Sequence, residues 1–389
     1  MKSSVAIILF IHLFTYHTMA QQANYDETKV PFFSIPELMV TGKGNAVTDK
    51  AQWEKVRRPE LLSTFANEVY GQLPDDLDKV DFKVSRVAVT AVARSMQVLI
   101  QSQKQGKAHE MKLHVFLPKT GEGPFPVLLL ISHRNVAELL KESDSGFFPI
   151  AKIIGQGFAA AVFDVEDVAP DDPGRFSDGI LQQLYPDQLQ REDGMRGLSA
   201  WAWGAMRAMD YFVSEPIIDH QKAGVVGHSR GGKAALWCGA NDSRWALTVS
   251  NESGCGGAAL SKRQFGETIQ RINTGFPYWF ANNFKQYNGK EAEMAFDQHM
   301  LIASIAPRAV YVASAAEDLW ADPKGEYLSL RLATSVYRDV YGLSAALPAE
   351  FDPTPNVKHQ PKIGYHLRPG KHDLTANDWE RFMEFFKEK

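Results

Sequence analysis

The sequence predicts an α/β fold in which a mostly parallel central sheet carries helices on both faces. Continuous apolar runs at residues 126–131 and 159–163 are typical of strands buried on both faces of a parallel sheet. Residues 198–212 have a strong helical pattern, and strands alternate with helices through the second half of the chain. Such alternation requires right-handed crossovers between parallel strands.

A third apolar run, residues 223–226, leads directly into Gly227-His228-Ser229-Arg230-Gly231 and then into a predicted helix. In this G-x-S-x-G pattern the two glycines let a strand turn sharply into a helix, which leaves the serine exposed above the sheet edge. The helix N-terminus also offers unpaired N–H groups where an oxyanion would form. The pattern therefore predicts an α/β-hydrolase fold with Ser229 as the nucleophile.

The first 20 residues have the pattern of a secretory signal peptide. Lys2 precedes an apolar run at residues 5–14, and Thr18 and Ala20 place small residues at −3 and −1 of a cut before Gln21. A membrane anchor is the less favoured alternative, because the run has about half the length of a spanning helix. We expect a secreted or periplasmic protein that has no membrane contact once the signal is removed.

The rest of the chain divides into an arm and one domain. Residues 21–47 contain prolines and glycines but no sustained periodicity, which favours an extended N-terminal arm laid over the domain. Residues 48–389 are then expected to form a single catalytic domain, because sheets of this class commonly form one long unit. The net charge of −4 gives no reason to expect nucleic acid or an anionic membrane as a partner. We expect a monomer.

The other elements of the domain are predicted from local patterns. Pro59 and Glu60 favour the start of a helix that Gly71 can end. Residues 80–118 alternate as antiparallel strands do, and residues 166–192, rich in Asp, Pro and Gly, indicate a long surface insertion near the strand ends. Further predictions are strands at 245–250 and 309–313, an aromatic-rich segment at 254–304, and helices at 322–341 and 377–386.

The two cysteines, Cys238 and Cys255, allow two interpretations. An exported chain can form disulfides, and both residues are expected near the site, so the two could pair. They could equally be two buried thiols, because separation in sequence says nothing about Cβ geometry.

A serine nucleophile needs a histidine base, and the histidine needs an orienting carboxylate. In this fold the chain order is serine, acid, histidine. His372 lies in a loop just before the last predicted helix, where the base of this fold is found, and His366 is its rival. Each could also be a surface histidine with satisfied hydrogen bonds.

Two carboxylates compete for the third position. Asp318 follows the strand before the last one, which is the usual place for the acid of this fold, whereas Glu252 follows the strand after the elbow helix. Either could be a helix cap or a solvated loop residue. The pattern leaves the choice open, and it implies neither a metal nor an organic cofactor.

The longer motif Gly227-His228-Ser229-Arg230-Gly231-Gly232-Lys233 resembles the G-x-S-R-x-G-K motif of the glucuronoyl esterases, carbohydrate esterase family 15. Its extra Arg and Lys make it far more specific than G-x-S-x-G. The likeness to the bacterial branch covers roughly residues 50–389. It extends to Arg58-Pro59-Glu60, Glu68-Val69-Tyr70-Gly71, Ser199-Ala200-Trp201-Ala202-Trp203-Gly204, Asn251-Glu252-Ser253-Gly254-Cys255-Gly256-Gly257, Phe276-Pro277-Tyr278-Trp279-Phe280 and Glu317-Asp318-Leu319-Trp320-Ala321-Asp322-Pro323.

The resemblance implies a serine esterase that cleaves, through an acyl-enzyme, the ester between (4-O-methyl-)glucuronic acid of glucuronoxylan and a lignin alcohol. Members hold the acid at the position matching Glu252 or at that matching Asp318, and some bacterial members carry both. The resemblance further implies that Arg230 directs its guanidinium at the oxyanion, that Lys233 hydrogen-bonds sugar hydroxyls and that Trp320 lies against the sugar. The less favoured alternatives are that Arg230 is a helix-start arginine paired with a carboxylate and that Lys233 and Trp320 are ordinary surface or core residues.

Two departures from the fungal pattern stand out. The fungal cysteines beside the nucleophile and the histidine are His228 and Asp373 here, so that disulfide is absent. The fungal glutamate just before the Trp-Phe pair has no counterpart before Trp279-Phe280, which leaves the sugar contacts on that side open.

Two other functions are kept as alternatives. The first is an esterase for acetyl-xylan or another carbohydrate ester, which would use the same chemistry on a different acyl group. The second, of another class, is a catalytically silent hydrolase relative that binds carbohydrate.

Overall fold

The computed structural model describes residues 23–89, 93–141 and 146–388, and the predicted signal peptide lies outside them. Across these ranges the strands form one ten-stranded sheet. None of the helices described is both long enough and apolar enough to cross a membrane. The strands are β1 Lys79–Val89, β2 Ala93–Lys104, β3 Lys107–Pro118, β4 Phe125–Ser132, β5 Ala159–Asp164, β6 Ile218–His228, β7 Leu247–Asn251, β8 Ala309–Ala315, β9 Asn356–Gln360 and β10 Ile363–Arg368.

The sheet is mixed, with a parallel centre. Its strand order is β1-β2-β3-β5-β4-β6-β7-β8-β10-β9. Neighbouring strands from β5 to β10 are parallel, whereas β1, β2, β3 and β5 pair antiparallel, as do β10 and β9. The predicted mostly parallel sheet, with antiparallel strands at its start, is confirmed.

Helices surround the sheet. The α-helices are α1 Lys50–Gln52, α2 Arg58–Phe65, α3 Val136–Leu139, α4 Ile150–Gly155, α5 Ile180–Gln183, α6 Gly197–Ser214, α7 Arg230–Asn241, α8 Ile269–Gly275, α9 Gln298–Ala303, α10 Pro323–Ser335 and α11 Ala376–Lys387. The π-helical turns are Trp53–Arg57, Ala66–Tyr70 and Val336–Val340. The 3-10 turns are Glu27–Lys29, Val165–Asp167, Pro186–Gln190, Ser261–Arg263, Asn282–Tyr287, Glu291–Glu293 and Leu319–Ala321.

The central strands separate two apolar cores. In β4, Leu128 and Leu130 belong to one core with Phe382 of α11, whereas Leu129 and Ile131 belong to the other with Trp201 of α6. Successive side chains of a strand point to opposite faces, so a strand covered on both sides must be apolar at every position. This is why the continuous apolar runs predicted central strands correctly.

The predicted start of the first long helix was wrong. Helical turns begin at Lys50, where Asp49 caps the N-terminus by accepting from the Gln52 N–H, and they continue through Tyr70. Pro59 is therefore inside the helical run. The wider turn Trp53–Arg57 precedes it and accommodates a residue that lacks an N–H. Gly71 follows the last turn at φ 92°, a conformation that favours glycine.

Two other regions differ from the prediction. Residues 166–192 are not simply a surface insertion, because Ile180, Leu181 and Tyr185 are completely buried. The polar residues of this segment form its turns while its apolar residues pack into the main core. Strands β9 and β10 were not predicted, since their alternation is interrupted by His and Lys.

The thiols of Cys238 and Cys255 are both free and buried, so the alternative without a disulfide holds. The arm contacts the domain through main-chain and charged groups. Arg57 donates to the carbonyl oxygens of Glu37 and Leu38, and Glu27 accepts from Arg263.

Candidate active site

The candidate site lies at the carboxyl ends of the parallel strands, where ligands of open α/β sheets bind. Ser229 follows β6, Glu252 follows β7, Asp318 lies beyond β8 and His372 lies beyond β10. Because these strands are adjacent in the sheet, four residues that are far apart in the chain meet at one edge. Ser229, Glu252 and His372 line a cavity of about 290 Å³.

The elbow has the geometry that its motif predicts. Ser229 has φ 55° and ψ −123°, a strained conformation for a residue other than glycine, and α7 begins at the next residue. A Cβ at Gly227 would lie 2.0 Å from the carbonyl oxygen of Gly231, so only glycine allows this close approach. The turn therefore aims Ser229 into the cavity at a helix N-terminus.

His372 is the histidine that the structure places with the acids. Its Nδ1 donates to Oδ2 of Asp318 at 2.6 Å and lies 3.3 Å from Oε2 of Glu252. Its ring centroid lies 4.5 Å from that of His228, the residue before the nucleophile. The rival His366 is buried elsewhere, with its ring nitrogens bonded to Tyr311 and Asp378.

The two carboxylates set the protonation of this imidazole. Burial alone would lower the pKa of His372, but hydrogen bonds to Asp318 and Glu252, and their negative charge, raise it to about 9. Burial raises the pKa of Glu252 to about 7, against the opposing influence of His372 and Arg368. The two carboxylates therefore favour the protonated form of His372, and the neutral base becomes more available as the pH increases.

The two acids are not equivalent in their contacts. Asp318 makes the shorter contact to His372. Glu252, with φ 47° and 1% exposure, accepts from the Arg368 guanidinium at 2.5 Å and from the Asp373 N–H at 3.0 Å. Both are thus near the imidazole, and Glu252 also anchors the chain next to it.

The ligand atoms of Glu252, Asp318 and His372 lie within 4.8 Å of one another, close enough to hold a small cation. The Arg368 guanidinium already contacts Glu252 here and would repel a second cation. The donor set thus fits a triad with a second carboxylate better than a metal site.

Arg230, the residue after the candidate nucleophile, is held on two sides. Its Nη1 donates to Oδ2 of Asp171 at 2.5 Å, and its guanidinium carbon lies 4.6 Å from the ring centroid of Trp279. Among the described residues its Nε is buried and has no hydrogen-bond partner. The arginine is therefore paired with a carboxylate through one nitrogen, while another of its N–H groups has no hydrogen-bond partner among the described residues.

Asp171 is a site residue that the sequence did not reveal. It accepts from the Tyr278 hydroxyl and from Nε1 of Trp279, each at 2.8 Å, in addition to Arg230. Asp171 thus orients the guanidinium of Arg230 together with the aromatic side chains of Tyr278 and Trp279. It lies in an Asp-rich segment with no local pattern to distinguish it from its neighbours.

Lys233 lies inside the cavity wall. It is only 3% exposed, its Nζ donates to the carbonyl oxygen of Ser253, and the same atom lies 3.9 Å from Oε2 of Glu267. Burial lowers the pKa of Lys233 and raises that of Glu267. Glu267, which the sequence reasoning missed, places a carboxylate in the cavity although none precedes the Trp279-Phe280 pair.

Trp320 forms part of the cavity rim, where it is 38% exposed, and Phe276 and Trp279 line another part of the wall. The rings of Phe276 and Trp279 are stacked with centroids 3.7 Å apart. Aromatic faces with a buried ammonium and a buried carboxylate form a cavity suited to a polyhydroxylated ring.

The fold, the elbow and the order of these residues along the chain define an α/β-hydrolase. Residues 100–341 match the family model described as glucuronyl esterase, fungi. The carbohydrate esterase MZ0003, from an unknown prokaryotic organism, is 42% identical over 93% of this chain and 91% of its own length. The chain therefore belongs to the glucuronyl esterase family and is a carboxylic ester hydrolase.

Solved structures agree with this assignment. A promiscuous esterase of carbohydrate esterase family 15, from a marine bacterial metagenome, has 39% identity and a TM-score of 0.83, over 94% of this chain and 99% of that one. The glucuronoyl esterase from Solibacter usitatus has 36% identity and a TM-score of 0.84, over 92% and 99%. A 4-O-methyl-glucuronoyl methylesterase from Cerrena unicolor is 28% identical over 81% of this chain and 63% of its own length.

Proposed function

We propose that this protein hydrolyses esters between the carboxyl group of glucuronic acid, or its 4-O-methyl form, and an alcohol. The observation that carries the proposal is one cavity that combines a serine elbow and a histidine–carboxylate pair with the Lys233–Glu267 pair. Names of relatives support the same substrate, since they include a glucuronoyl esterase at 36% identity and a 4-O-methyl-glucuronoyl methylesterase at 28%.

In the first step Ser229 attacks the ester carbonyl while Nε2 of His372 accepts its proton. Asp318 fixes the tautomer, because its carboxylate holds the proton on Nδ1. Negative charge then develops on the carbonyl oxygen. Main-chain N–H groups at the start of α7 and the guanidinium of Arg230 stabilise it.

In the second step the imidazolium returns its proton to the alcohol oxygen as the C–O bond breaks, which leaves an acyl-enzyme on Ser229. A water molecule gives a proton to His372 and attacks the acyl carbon. The same oxyanion donors act again. The bond between the acyl carbon and Oγ of Ser229 then breaks while the imidazolium returns its proton to Oγ, which releases glucuronic acid and regenerates the serine.

The acyl group is recognised through its hydroxyls and its ring. A glucuronate ester has no charge, so a bare cation in the cavity would find no carboxylate to pair with. Lys233 is instead close to Glu267, and together they offer both donors and acceptors to sugar hydroxyls. Trp320 supplies an aromatic surface for the sugar ring.

We further propose that the natural polymer is glucuronoxylan esterified to lignin and that the protein acts outside the cytoplasm. The polymer is supported by the family, and export is supported by the leader pattern in the first 20 residues. Glucuronoxylan is an extracellular polymer, so the two proposals are consistent.

A panel of esters tests the substrate. We expect the protein to release alcohol from methyl and benzyl glucuronate and to release acetate from acetylated xylan much more slowly. The measurement is kcat/KM for each ester with the same preparation. Hydrolysis of acetylated xylan alone would instead establish the alternative acyl group.

The two acids should contribute unequally to kcat. Asp318→Ala should lower kcat more than Glu252→Ala, because Asp318 makes the shorter bond to Nδ1 of His372. The loss is expected to be on the order of ten- to a hundredfold, since the second carboxylate still faces the imidazole. Steady-state kinetics of both variants on methyl glucuronate check the order. A larger loss for Glu252→Ala would reverse the assignment.

A further inference from the structure

Arg368 lies at the end of β10 and contacts the loop that carries His372 without lining the cavity. It is 7% exposed. Its Nη2 donates to Oε1 of Glu252 at 2.5 Å and to the carbonyl oxygens of Lys371 and Asp373 at 2.8 and 2.7 Å. These two carbonyls belong to the residues on either side of His372.

The other side of the guanidinium reaches α11. Nε of Arg368 donates to Oδ2 of Asp378 at 3.2 Å. Asp378 and Thr375 form the capping box that begins α11, directly after the histidine loop. One side chain thus joins the end of β10, the acid that follows β7 and the first turn of α11.

The guanidinium can be buried only because carboxylates compensate its charge. Removing a buried cation from two carboxylates leaves those charges uncompensated, which is far more costly than the net value of the pair. Glu252 and Asp378 are both completely or almost completely buried, and each contacts Arg368. The arrangement leaves the guanidinium little freedom to move.

We propose that Arg368 is a positioning residue for catalysis, which fixes the backbone on both sides of His372 and holds the Glu252 carboxylate against the imidazole. The inference rests on the proposed function, in which His372 is the base. A loop held at both flanking carbonyls keeps Nδ1 directed at Asp318. A displacement of about 1 Å at such a site can cost about a hundredfold in rate.

The proposal also predicts a pH effect. His372 is faced by Asp318 and Glu252, by His228 and His133 on the elbow side, and by Glu267 in the cavity. Glu252 is faced in addition by Arg368 and Glu326. Loss of a nearby cation by itself favours the imidazolium. Arg368 is hydrogen-bonded to Glu252, however, so the larger effect is that Glu252 binds a proton more readily and His372 loses a negative neighbour. The pKa of His372 then falls from about 9, and because its neutral form is the base, kcat/KM should rise at lower pH than in the wild type.

The experiment compares Arg368→Met with Arg368→Lys on methyl glucuronate and on p-nitrophenyl acetate. We expect Arg368→Met to lower kcat about ten- to a hundredfold, to change KM by less than about twofold because it does not touch substrate, and to move the pH midpoint down by about half a unit or more. Arg368→Lys should keep the wild-type midpoint, since its charge remains, yet lose part of kcat, since one ammonium cannot hold every acceptor.

The effect should act through Glu252. In a Glu252→Gln background, Arg368→Met should no longer lower the pH midpoint. A midpoint unaffected by Arg368→Met, or a rise in KM that accounts for the whole loss, would overturn the proposal. If Arg368→Met does not fold, as judged by circular dichroism, a wild-type kcat in Arg368→Lys would overturn it. An error in the proposed substrate would give a different result. The wild-type protein would then hydrolyse p-nitrophenyl acetate but not methyl glucuronate.

Discussion

Replacement of Ser229 with alanine is expected to lower kcat on methyl glucuronate by about 10⁴-fold or more, with the fold retained. The acyl-enzyme route requires a covalent bond to the serine oxygen. Without the hydroxyl, His372 cannot generate this nucleophile. Remaining activity would come from binding and oxyanion stabilisation of direct water attack. Stopped and steady-state assays of alcohol release measure the loss.

The control is Ser243→Ala, an exposed serine in the loop after α7, which should keep wild-type kcat. Circular dichroism and thermal melting of both variants should match the wild type, since Ser229 has no packing role that a methyl group cannot fill. Wild-type turnover by Ser229→Ala would remove this serine from the mechanism and favour a different site on the chain.

Replacement of Arg230 with methionine is expected to lower kcat about 10²- to 10³-fold. Arg230 directly follows Ser229 in the chain, is held by Asp171 on one side and lies against Trp279, and its buried Nε has no hydrogen-bond partner among the described residues. A donor fixed before the reaction stabilises developing charge without reorganisation. KM should change much less than kcat, because the ground-state carbonyl carries little charge.

Two further variants test the Arg230 assignment. Arg338→Met removes an exposed arginine that is paired with Asp339 in the π-helical turn after α10, and it should leave kcat unchanged. Arg230→Lys keeps the charge but loses the planar fork, so it should recover only part of the rate. Should Arg230→Met raise KM alone, Arg230 would contact substrate rather than the oxyanion.

The sequence predicted those parts of the molecule that depend on neighbours in the chain. The elbow is a five-residue motif with two glycines, which joins a strand to a helix. All of these features are local in the chain. The central strands were found because a strand covered on both faces is apolar throughout. Helix α2 and strands β9 and β10 were predicted poorly, since a proline inside a helical run, the polar residues of the partly exposed β9 and the histidine in the buried β10 contradict the usual local preferences.

Candidate residues for the base and the acid were also predicted, but the choice between them required the sheet. His372 and His366 are six positions apart, yet only His372 lies beyond the end of β10, while His366 is buried in the strand. Glu252 and Asp318 both follow neighbouring strands, so both reach the imidazole, and their different distances to Nδ1 appear only in three dimensions.

By itself the sequence determined the class of fold, the candidate nucleophile and the family motif, because each is written in consecutive residues. Only the tertiary structure decided which histidine meets the acids, and only it revealed Asp171, Glu267 and Arg368 at the site. Their side chains are ordinary charged residues in sequence. They become specific because strand order brings distant chain segments to one edge and because burial there forces every charge to find a partner.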